Sequence, residues 1–148
     1  MRDVTLSLTR EVIAARRAPR HAAPMTDINS TIERWFYALN ETDAARRAEH
    51  IEQAWAQDGR WVDPPFEGQG HAAINEMLDG VHQHYAGARF RRVTGLDTHH
   101  DAVRYGWELV DPQGDVVVAG VDICQLDGDG RLQRVSGFFG ELPAEQAA

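Results

Sequence analysis

The sequence predicts a single α+β domain, a cone-shaped α+β barrel in which three N-terminal helices pack on a curved, mainly antiparallel sheet. Apolar residues recur at helical spacing in the first half of the chain, and runs rich in β-branched residues, separated by turn-forming residues, follow in the second half. Helices first and a meander of strands last is an α+β arrangement. The mouth of a cone with an apolar interior is a natural small-molecule site.

The composition excludes several classes of protein. The 148 residues suit one domain with one core, and 43% hydrophobic residues is typical of a folded protein. A net charge of −8 argues against nucleic acid as a partner, because phosphates are bound by basic surfaces. The single cysteine excludes an intramolecular disulfide and a cysteine-based zinc site. No stretch approaches the roughly 20 apolar residues that span a bilayer, so we expect a cytoplasmic protein without a membrane partner.

Residues 1–24 differ from the rest of the chain and are predicted to form a disordered N-terminal tail. They contain five arginines against two acidic residues, and residues 16–24 have the composition of a linker. The apolar run at 4–15 is interrupted by polar residues, which does not fit a signal peptide. A transit peptide, or a natural start at Met25, stays open. The domain is predicted over residues 25–143, with a C-terminal tail at 144–148.

Three helices are predicted before the main part of the sheet. They span residues 27–40, 44–56 and about 71–85, because apolar residues recur every three or four positions in each. Polar residues that can cap a helix precede the first two: Thr26 or Asp27, and Thr42 or Asp43.

Five strands are predicted. A short strand at 60–63 ends at Pro64 and Pro65, because proline cannot donate a hydrogen bond to a ladder. Four longer strands follow at about 88–97, 102–110, 116–126 and 132–141. Their connections are rich in Asp, Gly, His and Pro, which indicates a meander of hairpins.

Asp122 is a carboxylate inside the otherwise apolar run 116–126. A carboxylate in such surroundings loses hydration, so its pKa should rise unless a cation or several donors compensate. A protonated, buried Asp can donate a hydrogen bond near neutral pH. The alternative is an Asp at a sheet edge that faces water or holds an arginine, and the sequence leaves both open.

The alternation of side chains along the strands predicts which residues would share a cavity with Asp122. If Asp122 faces inward, so do four further residues of its run: Val118, Gly120, Cys124 and Leu126. One face of the preceding strand carries Tyr105, Trp107 and Leu109. These aromatic residues beside a carboxylate would form an apolar cavity with one polar group in its wall. The alternative is that they belong to the hydrophobic core.

Asp63 is the second candidate carboxylate, at the end of a short strand and just before the two prolines. Two carboxylates in one apolar cavity can divide the work, one ionised as a base and the other protonated as a donor. The alternative is that Asp63 is an ordinary turn residue before proline.

Neither a metal nor another cofactor is predicted. His82 and His84 point to different sides of a helix, and a metal needs convergent ligands. His99 and His100 fall in a predicted turn. Cys124 and Ser136 lack the context of an activated nucleophile, so covalent catalysis is not predicted either.

With these features, the chain resembles Δ5-3-ketosteroid isomerase. The likeness covers residues 26–143 and rests on segments in the same order and at similar spacing: residues 34–40 (RWFYALN), 63–64 (DP), 117–122 (VVAGVD), 130–132 (GRL) and 139–141 (FGE). It implies the cone-shaped fold shared with nuclear transport factor 2, scytalone dehydratase, limonene epoxide hydrolase and SnoaL-like polyketide cyclases. It also implies a homodimer that forms through the outer face of the sheet.

The resemblance implies roles for individual residues. Asp63 matches the general base that moves a proton between two carbons, and Asp122 matches the protonated Asp of the oxyanion hole. Trp35 stands in the place of the family's tyrosine on the first helix. Asp122 is also similar to the catalytic acid/base of SnoaL-like cyclases, which close a ring by aldol chemistry without a metal. The candidate substrate-binding residues are Trp35, Trp61, Tyr105, Trp107, Val118, Gly120, Cys124 and Phe139.

Three functions stay open from the sequence. The first is a cofactor-independent isomerase or cyclase that acts by carboxylate acid/base chemistry on a hydrophobic carbonyl compound, steroid-, polyketide- or terpenoid-like. The second is a non-catalytic pocket for a small apolar ligand. The third is a dimeric interaction module, which a cavity packed shut by Trp35, Trp61, Tyr105 and Trp107 would favour.

Overall fold

The computed structural model describes residues 27–146 of the chain. The predicted N-terminal tail at 1–24 and the last two residues of the predicted C-terminal tail lie outside the described residues. None of the helices within 27–146 has both the length and the apolar character that crossing a membrane would require.

Three helices and seven strands make up the described part of the chain. In chain order they are α1 (Ile28–Asn40), α2 (Ala44–Ala54), β1 (Trp55–Asp63), β2 (Phe66–Gln69), α3 (His71–His84), β3 (Arg89–Arg92), β4 (Asp97–His99), β5 (Ala102–Val110), β6 (Val116–Leu126) and β7 (Leu132–Phe139).

All seven strands belong to one sheet with the order β2-β1-β7-β6-β5-β3, and β4 also pairs with β5. The β1–β7 pair is parallel and every other pair is antiparallel. Strand β7 lies beside β1 although they are far apart in the chain, because α3 and the antiparallel meander connect them as a crossover. The predicted cone-shaped α+β fold is confirmed.

Several predicted boundaries were correct because the local pattern was decisive. The bounds predicted for β5 and β6 agree with the structure, and so does the end of α1 at Asn40. Asp43 caps α2, since its carboxylate accepts a hydrogen bond from the backbone N–H of Arg46 at 2.9 Å. Asp27 lies at the N-cap position of α1, but its side chain makes no capping bond.

The predicted boundary between the second helix and the first strand was wrong. Helix α2 ends at Ala54 instead of Ala56, and β1 begins at Trp55 instead of Arg60. Trp55 is fully buried, and the strand bends around its ring at Gly59, where a Cβ would lie 2.4 Å from the indole. Burial of a large aromatic side chain thus outweighed the helical pattern that extends past it.

Other strand predictions also need correction. The two prolines form the turn of a β1–β2 hairpin, and β2 was not predicted. The strand predicted at 88–97 is two strands, because the Thr94 hydroxyl accepts the Gly106 N–H at 2.8 Å in place of a ladder carbonyl. The last strand ends at Phe139 instead of Glu141, since Gly140 adopts a positive φ of 73°.

The core lies between the three helices and the inner face of the sheet. Trp35 on α1 packs edge-on against Trp55 and Trp61, with ring centroids 5.2 Å and 5.1 Å apart. Edge-to-face aromatic pairs of this kind contribute roughly 0.5–1.5 kcal/mol each beyond the burial of their area. The indole cluster therefore joins α1 to the strand that ends in Asp63.

Arg47 joins α2 to α3 from a fully buried position. Its guanidinium donates to the side-chain oxygens of Asn75 and Asp79, both at 2.7 Å, and to the backbone carbonyls of Glu41 and Thr42. A buried charge is tolerated only where its donors are satisfied, and here they are. This contact sets the position of α3, which matters for the site.

Candidate active site

A cavity of about 440 Å³ opens between α3 and the inner face of the sheet. Five of the residues predicted for the site line it: Trp61, Asp63, Trp107, Val118 and Phe139. Among the other lining residues are Phe66 from β2, Met77 and Val81 from α3, Tyr85 just after it, Phe90 from β3 and Leu109 from β5. The wall is mostly apolar, and of the predicted pair Tyr105 and Trp107 only Trp107 belongs to it.

Asp63 is a half-buried carboxylate that lines the cavity. It lies at the end of β1, where its Oδ1 accepts the indole N–H of Trp61 at 3.0 Å, and it also accepts the backbone N–H of Gly137. Burial raises the pKa of Asp63 to about 6, although both hydrogen bonds act in the opposite direction. A carboxylate with such a pKa is ionised near neutral pH and yet basic enough to take a proton from carbon.

Asp122 lies deeper, with 7% of its surface exposed. It pairs with Tyr105 across the β5–β6 ladder, and the Tyr105 hydroxyl donates to its Oδ2 at 2.9 Å. The indole N–H of Trp107 donates to its Oδ1, also at 2.9 Å. Burial, with the charge of nearby Asp63 as the second cause, raises the pKa of Asp122 to about 7. The edge-strand alternative, an Asp that faces water, is therefore wrong.

Gly137 on β7 allows the two carboxylates to converge. A Cβ at this position would lie 2.1 Å from Oδ1 of Asp63 and 3.2 Å from Oδ1 of Asp122. The two oxygens are thus no farther apart than the sum of these distances. Gly137 is directly opposite Asp122 in the β6–β7 ladder, and any larger residue there would fill the space between the carboxylates. The sequence interpretation did not identify this glycine.

For Asp63 and Asp122 together, the state with one proton on the pair is more favourable than the state with both carboxylates ionised. Two like charges this close in an apolar site repel each other, so ionisation of one carboxylate favours the protonated form of the other. The arrangement provides an ionised base at the cavity wall and a proton reservoir behind it. Asp122 itself is not among the lining residues of the described chain, so its position supports Asp63 from behind.

Four of the predicted substrate-binding residues lie away from the cavity wall. Trp35 is fully buried in the indole cluster, and its N–H has no partner among the described residues. Tyr105 and Cys124 are buried beside Asp122. Gly120 gives room to Trp107, since a Cβ there would lie 2.8 Å from its ring. These four residues are corrected from ligand contacts to parts of the structure behind the wall.

The contribution of α3 to the wall was missed. The apolar spacing predicts the helix but does not show which of its apolar residues face the core, and only Ile74 and Leu78 are buried. Met77 and Val81 are half-buried and border the cavity instead. A broad apolar face on a helix with two histidines in its last turn was the available signal.

The chain is similar in fold, and in one case in sequence, to proteins of known structure. A candidate isomerase of the SnoaL-like family from Agrobacterium tumefaciens is 35% identical, with a TM-score of 0.73 over 79% of this chain and 100% of that chain. The chain belongs to the SnoaL-like family. This membership confirms the resemblance inferred from the sequence.

More distant SnoaL-like relatives support the fold alone. A SnoaL-like protein of unknown function from Burkholderia thailandensis is 12% identical, with a TM-score of 0.60 over 80% of this chain and 100% of that one. A candidate polyketide cyclase from Sinorhizobium meliloti is 15% identical, with a TM-score of 0.56 over 73% of this chain and 93% of that one. No protein-family model and no curated protein matches the chain.

Proposed function

We propose that this SnoaL-like protein is a cofactor-independent isomerase or cyclase for a hydrophobic carbonyl compound, steroid-, polyketide- or terpenoid-like. The observation that carries the proposal is the convergence of Asp63 and Asp122 at Gly137, next to an apolar cavity. The descriptions of the Agrobacterium relative as an isomerase candidate and the Sinorhizobium protein as a cyclase candidate support the same reaction classes.

The proposed chemistry begins with a proton transfer from carbon to Asp63. The carboxylate takes a proton from the carbon next to the carbonyl, the C–H electrons form a carbon–carbon double bond, and the carbonyl oxygen receives the negative charge. In an isomerase, protonated Asp63 returns the proton to a different carbon. In a cyclase, the new carbanion attacks a second carbonyl carbon and closes a ring, the π electrons of that carbonyl move to its oxygen, and the resulting alkoxide takes the proton held by Asp63. Asp122 keeps a proton available and stops both carboxylates from ionising together.

Proton exchange on a simple ketone tests this proposal without knowledge of the natural substrate. Decalone in D₂O should exchange its α-hydrogens faster with the protein than in buffer, followed by NMR. The Asp63→Asn variant should lose about 10²-fold or more of this acceleration, which is the contribution of a general base. Asp122→Ala should also lower the rate by orders of magnitude. Asp58→Asn, an exposed carboxylate on the same strand, is the matched control.

Exchange at the buffer rate, or wild-type exchange in both active-site variants, would reject the enzymatic proposal.

A second function, a non-catalytic pocket for an apolar ligand, is favoured by one specific observation. The two indole N–H groups at the wall, from Trp61 and Trp107, already donate to carboxylates, which leaves neither for a carbonyl oxygen. A cavity in which these two indole donors are occupied fits a non-catalytic pocket that binds an apolar ligand. It predicts saturable binding of decalone without exchange.

We also propose that the protein forms a homodimer through the outer face of the sheet. Four large apolar side chains on β6 and β7 stay 40–58% exposed there: Val117, Val121, Ile123 and Phe138. Adjacent exposed apolar residues of this size mark an interaction surface. Sedimentation should give twice the mass of one chain, and Ile123→Glu should give a single chain. A monomeric wild-type protein would contradict the proposal.

A further inference from the structure

Gly80 is an unexplained residue in the interior of α3. A glycine there costs the helix roughly as much as any residue except proline, because it leaves the backbone more freedom to lose. Its backbone does not have the positive φ that favours glycine, and a Cβ at this position would meet nothing within 4 Å. Neither conformation nor packing within the described chain therefore requires a glycine.

The position of Gly80 suggests a reason. It is one of the cavity-lining residues and is itself exposed, so it lies at the mouth. Glu76 and His84, one turn before and one turn after it, are also exposed lining residues. Residues four apart share one face of a helix, so the missing side chain leaves a gap between two polar ones. A molecule in the cavity can leave it across Gly80.

The charges at the wall restrict what that molecule can be. Asp63 and Glu76 both line the cavity, and no arginine among the described residues does so. The chain contains no lysine at all. An anionic group would therefore meet two carboxylates and no permanent cation, and the net charge of −8 adds to this repulsion.

We propose that the cavity binds an elongated, uncharged ligand whose far end extends through the gap over Gly80, between Glu76 and His84. The inner end carries the carbonyl group next to Asp63, and the outer end carries a hydroxyl or similar neutral polar group that can donate to Glu76. This inference rests on the proposed function, whose substrate class it narrows. Gly80 is then a specificity-determining residue that keeps the exit open.

Two neutral probes of different length test the inference. Decalone, with two fused rings, fits within the cavity, whereas testosterone, with four rings and a terminal hydroxyl, should extend through the gap. Titrations followed by tryptophan fluorescence report both, because Trp61 and Trp107 line the cavity. Gly80→Phe should weaken testosterone binding by roughly tenfold or more and leave decalone binding within about twofold. Sulfation of the hydroxyl of testosterone should weaken its binding to the wild-type protein.

Two further variants separate occlusion of the gap from a general effect on the helix. Gly80→Ala should raise the thermal midpoint, since alanine is the better helix former, with little change in either affinity. Gln83→Phe adds the same ring to an exposed position of α3 that does not line the cavity, and it should leave both affinities unchanged.

The inference is overturned if wild-type protein binds decalone but not testosterone, if Gly80→Phe weakens both probes equally, or if the sulfated probe binds as well as testosterone. These readouts are affinities, so they are independent of the exchange rates that test the proposed function. Loss of exchange in Asp63→Asn together with equal testosterone affinity in Gly80→Phe would leave the enzyme proposal intact and reject the gap alone.

Discussion

Replacement of Asp122 by Asn tests the protonation of the buried carboxylate directly. Asn has nearly the same shape, and it can accept the Trp107 N–H while its own N–H₂ donates to the Tyr105 hydroxyl oxygen. The variant thus keeps both contacts but removes the group that titrates. Any difference in the pH dependence of stability between the two proteins belongs to Asp122 and to its interaction with the charge of Asp63.

The magnitude follows from the shift in the pKa of Asp122, from an ordinary value of 3.8 to about 7. Between these two values the folded protein holds a proton that the unfolded chain releases, so stability falls as the pH rises. The contribution is fully present below about pH 4 and is lost as the pH passes about 7. At 1.36 kcal/mol per pKa unit, the loss is about 4 kcal/mol.

Urea denaturation followed by tryptophan fluorescence, at several pH values from about 4 to 8, measures this effect. The wild-type free energy of unfolding should decline toward pH 8 more steeply than that of Asp122→Asn, by about 4 kcal/mol over the range. Asp63, whose pKa is also raised, contributes a slope of the same sign to both proteins. Parallel profiles for the two proteins would show that Asp122 ionises as freely when folded as when unfolded, and would refute the reasoning.

Two further substitutions test the geometry around the site. Gly137→Ala would place a Cβ 2.1 Å from the Asp63 carboxylate, so the carboxylate must move, and a misplacement of about 1 Å can cost about 10²-fold in rate. Decalone exchange should fall by that factor with circular dichroism unchanged, whereas Gly128→Ala, where a Cβ meets open space, should retain the wild-type rate. Arg47→Met should lower the free energy of unfolding by about 3 kcal/mol, because it leaves the part-buried acceptors in the α1–α2 connection and on α3 without their donor. Arg46→Met, at an exposed neighbour, should leave the urea midpoint in place; equal effects of the two arginine variants would contradict the role of the buried guanidinium.

The sequence was most informative where local periodicity alone sets the orientation of side chains. Strands β5 and β6 alternate strictly, so the inward positions of Tyr105, Trp107 and Asp122 follow once any one of them is placed. The approximate positions of the helices and of the turns that join β4 to β5, β5 to β6 and β6 to β7 also followed from the sequence. The approach of Asp63 to this group was an inference from chemistry and resemblance, with no local pattern behind it.

The sequence was least informative where a contact depends on the return of the chain from a distance. Helix α2 stops early because Trp55 is needed in the core, and four residues predicted at the cavity wall lie behind it because other side chains occupy the wall. Whether a helical residue such as Met77 or Val81 faces core or cavity depends on where α3 is held, and Arg47 on α2 holds it.

By itself, the sequence determined the order and type of the main elements and the presence of an acidic residue within an apolar strand, since both depend on spacing within a few residues. Only the tertiary structure decided that Asp63 and Asp122 meet. The two carboxylates meet because β7 returns in parallel beside β1 and places Gly137 between them. The role of this glycine cannot be inferred from the sequence, since it depends on side chains that are distant along the chain.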